Sequence, residues 1–188
     1  LRVLTDETER LTRLVNNVLD FSRLDNRRKQ YNPSRVNLTE LLEAAVPVCR
    51  ESLETAGMEL NPVLPDIPAE CTIDRDSLLQ VLYNLIDNAV KYAPPSPRID
   101  LILARGQRRW EIRVRDYGPG IPGGMSDKIF QKFYRADNGL TGKAGGFGLG
   151  LSISRGLMRD QGGDLKSADA APGAEFIIIL PEDPHETA

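Results

Sequence analysis

Asn84-Leu85-Ile86-Asp87-Asn88-Ala89-Val90-Lys91-Tyr92 decides how this chain is read. It lies in a Gly-free run between a capping aspartate, Asp74 or Asp76, and the terminating pair Pro94-Pro95, so the spacing predicts a helix ending at Tyr92. Asn84, Asn88 and Lys91 recur at i, i+4 and i+7 and therefore share one face. Asparagine is a mediocre residue for a helix interior, and two on one face beside a lysine ask for a reason other than propensity. An Asn carbonyl oxygen can ligate a hard cation such as Mg²⁺, whose other ligands are commonly waters and phosphate oxygens, and a lysine at the end of that row can face a phosphate. Taken alone, the same row would equally be a solvent-facing polar stripe.

Downstream, most of the 16 glycines fall between Gly118 and Gly150. Asp116-Tyr117-Gly118-Pro119-Gly120-Ile121-Pro122 follows a predicted strand, and Gly146-Phe147-Gly148-Leu149-Gly150-Leu151 precedes a predicted helix. Glycine lets a backbone approach a ligand closely, and a glycine run entering a helix offers free N–H groups to an anion. Neither cluster is a P-loop, since no Gly-Lys-Ser/Thr follows. The dinucleotide fingerprint fails as well, because no strand leads into Gly146.

Further out, Asn37-Leu38-Thr39-Glu40 opens a helix to about Thr55 with Gly57 past its end, and Pro47 inside it is a potential kink. Met58 to Leu64 and Cys71 to Ile73 are predicted strands. Arg98 to Ala104 and Trp110 to Arg115 form a hairpin around Gly106-Gln107, while Asp164 to Ser167 and Ala174 to Leu180 finish as strands after a helix over 149–161. Residues 1 to about 25 carry Leu4, Leu11, Leu14, Val18 and Phe21 on a heptad-like seam, a helix about 36 Å long at ~1.5 Å per residue. Such a stripe is marginal alone and needs a partner. The fold class expected is a two-layer α/β sandwich, a mixed sheet covered by helices, preceded by this long amphipathic helix. Domain bounds follow: 1–30 for the helix and linker, 31–181 for the α/β domain, 182–188 for a tail.

Composition narrows the chemistry. Among 188 residues there are 24 Lys+Arg, 27 Asp+Glu and one histidine, His185. One histidine in the tail excludes His-rich zinc sites and disfavours Ser-His-Asp and Cys-His catalysis. A net charge of −3 leaves no electrostatic footprint for nucleic acid. Cys49 and Cys71 are too few for a disulfide scaffold and fit a reducing compartment. No apolar run reaches ~18 residues, the minimum for a membrane-spanning helix. The chain starts at Leu1 without a signal-peptide layout and is expected to be a piece of a longer protein.

In their order the motifs resemble the catalytic, ATP-binding region of two-component sensor histidine kinases, within the gyrase, chaperone and histidine kinase ATPase superfamily of Bergerat-type fold. Asn84 to Tyr92 matches the family's N box, Asp116 to Pro122 its first glycine box, and Gly146 to Leu151 its second. Lys128-Ile129-Phe130-Gln131-Lys132-Phe133-Tyr134-Arg135 is similar to the F box, and Glu7 to Leu24 to the second helix of the dimerisation hairpin. The resemblance implies that Asp116 accepts the adenine amino proton, that Gly118 and Gly120 admit the base, and that Ile121 and Tyr92 line it. It implies Mg²⁺ on Asn88 and Asn84, and phosphate neutralised by Lys91 and Arg135. Gly146, Gly148, Leu149, Gly150 and Leu151 then form the phosphate-binding turn, with 136–145 as a lid. Phe130 and Phe133 belong either to the core or to the lid anchor.

The implied activity is transfer of the ATP γ-phosphoryl to a histidine on a hairpin helix preceding Leu1, then to a response-regulator aspartate, with Asn84, Lys91 and Arg135 as catalytic residues. The parent is expected to be a bacterial cytoplasmic or membrane-anchored homodimer, and this piece to lack autophosphorylation. Asn84 stands where ATP-hydrolysing relatives carry a glutamate that activates water, which implies weak hydrolysis. A serine kinase or ATPase of the same superfamily, or an idle nucleotide-binding interaction module, are the alternatives.

Overall fold

The computed structural model describes residues 29–94, 96–106, 109–135 and 148–181. The amphipathic N-terminal helix, the lid segment 136–145, Gly146 and the tail 182–188 lie outside the described residues.

A short strand β1 (Ser34–Asn37) runs into helix α1 (Leu38–Glu54). Asn37 caps that helix: its Oδ1 accepts from the backbone N–H groups of Thr39 and Glu40 at 3.1 and 3.3 Å. Its Nδ2 donates to Glu40 Oε1 at 2.8 Å, a side-chain closure of the expected capping box. Pro47 sits on the exposed face without dividing α1. Gly57, at φ +71°, turns the chain out of the helix, and the Met58 N–H returns to Leu53 O. Strands β2 (Glu59–Val63) and β3 (Glu70–Ile73) follow, then α2 (Arg75–Tyr92), capped by Asp74, whose Oδ1 accepts from Ser77 N–H at 2.8 Å. The hairpin β4 (Arg98–Arg105) and β5 (Trp110–Asp116), a 3-10 turn at Lys128–Phe130, helix α3 (Gly150–Arg159), and strands β6 (Asp164–Asp169) and β7 (Ala174–Ile179) complete the described chain.

Five strands form one mixed sheet in the order β2-β4-β5-β7-β6, parallel only at β2–β4. The alternation in β5 buries Trp110, Ile112, Val114 and Asp116 and leaves Glu111, Arg113 and Arg115 half-buried on the other face. The buried residues of β4, β5, β6 and β7 join one core with α1, α2 and α3, so the helices form the second layer. Helix α2 is the centre of that layer. Leu78, Val81, Leu82, Leu85, Ile86 and Ala89 are buried along it, at the i, i+3, i+4, i+7 spacing of a core-facing stripe.

Two features differ from the sequence expectations. β1 is a strand, and it pairs antiparallel with β3 in a separate two-stranded sheet. The predicted strands at 58–64 and 71–73 therefore belong to different sheets, the first to the main one. α3 is shorter than 149–161, because the chain leaves the helix through turns at Asp160 to Gly162, where Gln161 Nε2 donates to Leu157 O and Gln161 Oε1 accepts from Asp74 N–H.

The end of α3 is tied to β6 by charge. Asp164 Oδ1 accepts from Arg155 Nε at 3.1 Å and from Arg159 Nε at 2.9 Å. Burial alone would raise the Asp164 pKa, but the two arginines and the Leu165 N–H outweigh it and hold the carboxyl below its ordinary value of 3.8. A carboxylate with a depressed folded pKa stabilises the fold fully above that ordinary value and loses the contribution as pH falls below it. Asp164→Asn is therefore expected to lower urea-unfolding stability at pH 7. The gap to wild type should shrink as pH drops below about 4; a gap independent of pH would contradict this role.

Candidate nucleotide-binding site

The half-buried side of α2 carries Asn84, Asn88 and Lys91 as the spacing predicts, with Tyr92 46% exposed at the helix end. Two glycine-bearing segments close on this helix, one at its C-terminus and one near its middle. At the C-terminus, Gly118 lies against Ala93: a β-carbon on Gly118 would fall 2.6 Å from Ala93 Cα, and closer still to its carbonyl oxygen. Toward the middle, a β-carbon on Gly150 would fall 2.5 Å from Asn84 Oδ1. Asn84 Nδ2 meanwhile donates to Ser154 Oγ at 2.9 Å, one turn further along α3. Asn84 of the N box thus touches the second glycine box, and Ala93, just past the N box, touches the first.

Asp116 ends β5 and is 8% exposed. Its Oδ1 accepts from the Gly118 N–H at 2.9 Å and the Ala174 N–H at 3.1 Å. Among the described residues no protein group donates to its Oδ2. One oxygen is fixed by backbone and the other is left for an outside donor, which suits an exocyclic amino group. The Ala174 contact brings in Gly173, which the sequence reading missed. Gly173 has φ +101°, and a β-carbon there would lie 2.6 Å from Asp116 C. Gly120 packs on the same residue, its own β-carbon position being 2.7 Å from Gly173 O. The Pro172-Gly173 turn is visible in sequence, but its contact with Asp116 spans more than fifty residues and leaves no local signal.

Asn88 is half-buried, and among the described residues its buried Nδ2 has no hydrogen-bond partner. An unpaired buried amide costs about 1–3 kcal/mol, so a bound group that pairs with it gains affinity. In this orientation the amide can donate to a phosphate oxygen or water; turned over, it presents Oδ1, the end that ligates a hard cation. Lys91 is held by its helix neighbour, Nζ to Asp87 Oδ2 at 2.5 Å, with both side chains about a third exposed. Such an i, i+4 pair is worth roughly 0.3–0.5 kcal/mol, weak enough to yield to a phosphate. Among the described residues there is no cluster of three or more His, Cys, Asp or Glu that could hold a metal alone.

The remaining expected site residues divide. Ile121 and Leu151 are half-buried, and Leu149 is 4% exposed, so the Leu149 side chain serves the core and only its backbone faces the turn. Arg135 is exposed, and Gly146 lies outside the described residues. The two F-box phenylalanines separate cleanly. Phe130 is buried, edge-on to Phe176 at 6.5 Å between centroids, with Arg155 over its ring at 4.7 Å. Phe133 is 64% exposed at φ +63°, and its N–H donates to Gly148 O at 2.9 Å. A left-handed phenylalanine is uncommon, and no local pattern signals it.

A family model described as histidine kinase-, DNA gyrase B- and HSP90-like ATPase matches residues 73–184, the span from the α2 cap through both glycine boxes to the last strand. The chain belongs to this family. It is an ATP-binding domain of the histidine-kinase kind. The sensor histidine kinase WalK of Bacillus subtilis (strain 168) is 35% identical over 182 residues, covering 96% of this chain and 30% of WalK. Hybrid signal transduction histidine kinase D of Dictyostelium discoideum is 33% identical over 192 residues, 98% of this chain and 12% of that protein. The chain therefore spans less than a third of these relatives. Among solved structures, full-length ShkA in complex with AMPPNP superposes with a TM-score of 0.82 at 27% identity, over 96% of this chain and 37% of ShkA. The mycobacterial sensor histidine kinase MprB gives 0.67 at 27% identity, over 81% of this chain and 99% of that structure. Among the described residues no helix is long and apolar enough to cross a membrane.

The two glycine contacts on α2 differ in what opposes them. Backbone cannot retreat from Gly118, whereas the Asn84 amide can swing away from Gly150. Gly118→Ala is therefore expected to cost more unfolding free energy than Gly150→Ala. Adding Asn84→Ala should recover part of the Gly150→Ala loss in a double-mutant cycle and none of the Gly118→Ala loss. Equal, additive costs at both glycines would show that these contacts do not constrain the helix.

Proposed function

We propose that this chain is the ATP-binding catalytic domain of a sensor histidine kinase, donating the ATP γ-phosphoryl to a histidine on a hairpin helix, from which it passes to a response-regulator aspartate. The observation that carries the proposal is Asp116: a buried carboxylate with one oxygen fixed by two backbone amides and the other open to a donor. In this reading Asp116 selects the adenine amino group, and Gly118 and Gly120 admit the ring beside Ile121 and Tyr92. Lys91 leaves Asp87 to meet phosphate oxygens, with Arg135 from the F box, and the backbone entering α3 from Gly148 to Leu151 supplies N–H groups at a helix N-terminus. The sensor kinase names of WalK and MprB, relatives at 35% and 27% identity, support the assignment.

Mg²⁺ fits Asn88 better than Asn84. The Asn88 amide is unpaired, whereas Asn84 spends Nδ2 on Ser154 and packs Oδ1 over Gly150. Bound there, the ion would neutralise charge on the transferring phosphoryl group. Asn84 has no basic group to activate water near neutral pH, so the nucleotide waits for an acceptor rather than being hydrolysed. The parent is proposed to be a bacterial homodimer with its catalytic part in the cytoplasm. The phosphoacceptor helix and the regulator are its proposed protein partners.

Asp116→Ala and Asn88→Ala are each expected to weaken binding of a fluorescent ATP analogue at least tenfold. Unchanged affinity in both would refute the site. With labelled ATP, the chain alone is expected to gain no acid-labile label, since His185, its single histidine, belongs to none of the motifs. Turnover without an acceptor should be slow, and rapid phosphate release would favour an ATPase.

A further inference from the structure

Tyr117 stands between Asp116 and Gly118 and faces a different set of partners from either. Its N–H donates to Ser96 Oγ at 3.0 Å. Ser96 is 3% exposed and donates in turn to Arg98 O at 2.7 Å, so its hydroxyl is used in both directions. The Tyr117 hydroxyl donates to Asp100 Oδ2 in a short hydrogen bond. Asp100 is 7% exposed, and its Oδ1 accepts from Asn61 Nδ2 at 2.9 Å and faces Arg98 Nε at 3.2 Å. Arg98 also donates to the Tyr117 hydroxyl at 3.0 Å. The guanidinium carbons of Arg98 and Arg115 lie 4.8 and 4.9 Å from the Tyr117 ring centroid. The ring is thus held by two cations and its hydroxyl by a buried carboxylate. That carboxylate is kept anionic: burial would raise the Asp100 pKa, but the Tyr117 and Asn61 hydrogen bonds and the Arg98 and Arg115 charges hold it below the ordinary range.

We infer that Tyr117 is the positioning residue for adenine selection: anchored on Asp100 and Ser96, it fixes the peptide unit from which Asp116 presents its free oxygen. This rests on the proposed role of Asp116. Tyr117 acts only through its neighbour. Selection through one carboxylate oxygen depends on the direction in which that oxygen points, and a slack loop loses selectivity before it loses triphosphate binding. Gly118 and Gly120, which follow Tyr117, give the loop no stiffness of their own. The stiffness comes from anchors on α2's exit (Ser96), on β4 (Asp100) and on β2 (Asn61), with the Asp116 Oδ1 bonds as the remaining tie.

The test compares binding of ATP with inosine triphosphate, which carries an oxo group where ATP carries the 6-amino group and N1–H where ATP has an N1 acceptor, on the same ribose and triphosphate. In the 188-residue chain, Tyr117→Phe keeps the ring and its cations and removes the hydroxyl. Wild type is expected to prefer ATP. Tyr117→Phe should weaken ATP binding by roughly three- to tenfold, the worth of one hydrogen bond, while inosine triphosphate binding stays near wild type, so that the preference narrows. A purely structural role would weaken both nucleotides alike. Should thermal unfolding show Tyr117→Phe unfolded, Asp100→Asn, which keeps the shape and removes the charge, gives the same readout. A folded variant that keeps the full ATP preference overturns the role of Tyr117 and leaves Asp116 standing. A wild-type chain that binds both nucleotides equally overturns the Asp116 assignment and this inference with it.

Discussion

Close backbone approach to helix α2 is the constraint on which the rest of the site depends. Gly118 presses on Ala93, where the helix ends, and Gly150 on Asn84, in its middle. At Gly118 a β-carbon would collide with backbone, and at Gly150 it would displace the Asn84 amide. Their consequence is spatial: the end of β5 and the start of α3, more than thirty residues apart in sequence, are fixed to one helix. Asn88 and Lys91 lie between the two contact points along that helix. Apolar burial on the opposite side, from Leu78 to Ala89, keeps the helix from rotating.

Electrostatics complete what packing begins. Asp116 and Asp100 are both buried carboxylates near the end of β5, with opposite assignments. Asp100 is saturated by Tyr117, Asn61 and Arg98 and is structural. Asp116 keeps an oxygen unspent, as Asn88 keeps an amide unpaired. Unspent polar capacity in a folded interior is costly, and in the proposed reading a ligand offsets that cost at these two places.

The N box, the glycine clusters and the ends of α2 were legible in sequence because each records a local demand. Spacing sets the face, glycine records a close approach, and the Asn37 and Asp74 caps record helix starts. What stayed hidden depends on partners distant in sequence. Strand β1 buries Val36 alone among its four residues, too little pattern to read. Gly173 looks like a turn glycine until β7 places it against Asp116. Asn84 reads as a ligand, yet it is also a strut to Ser154, seventy residues away. Phe130 and Phe133 share a motif and cannot be told apart by composition, but one is core and the other is exposed with a left-handed backbone.

The most direct measurement of the central claim is a map of backbone amide chemical shifts before and after addition of Mg²⁺ and a non-hydrolysable ATP analogue. The account predicts that the largest changes cluster at 84–93, 116–121 and 148–151, the two glycine segments and the helix they clasp. Saturable binding with shifts confined to other surfaces, or no shifts at all, would contradict it.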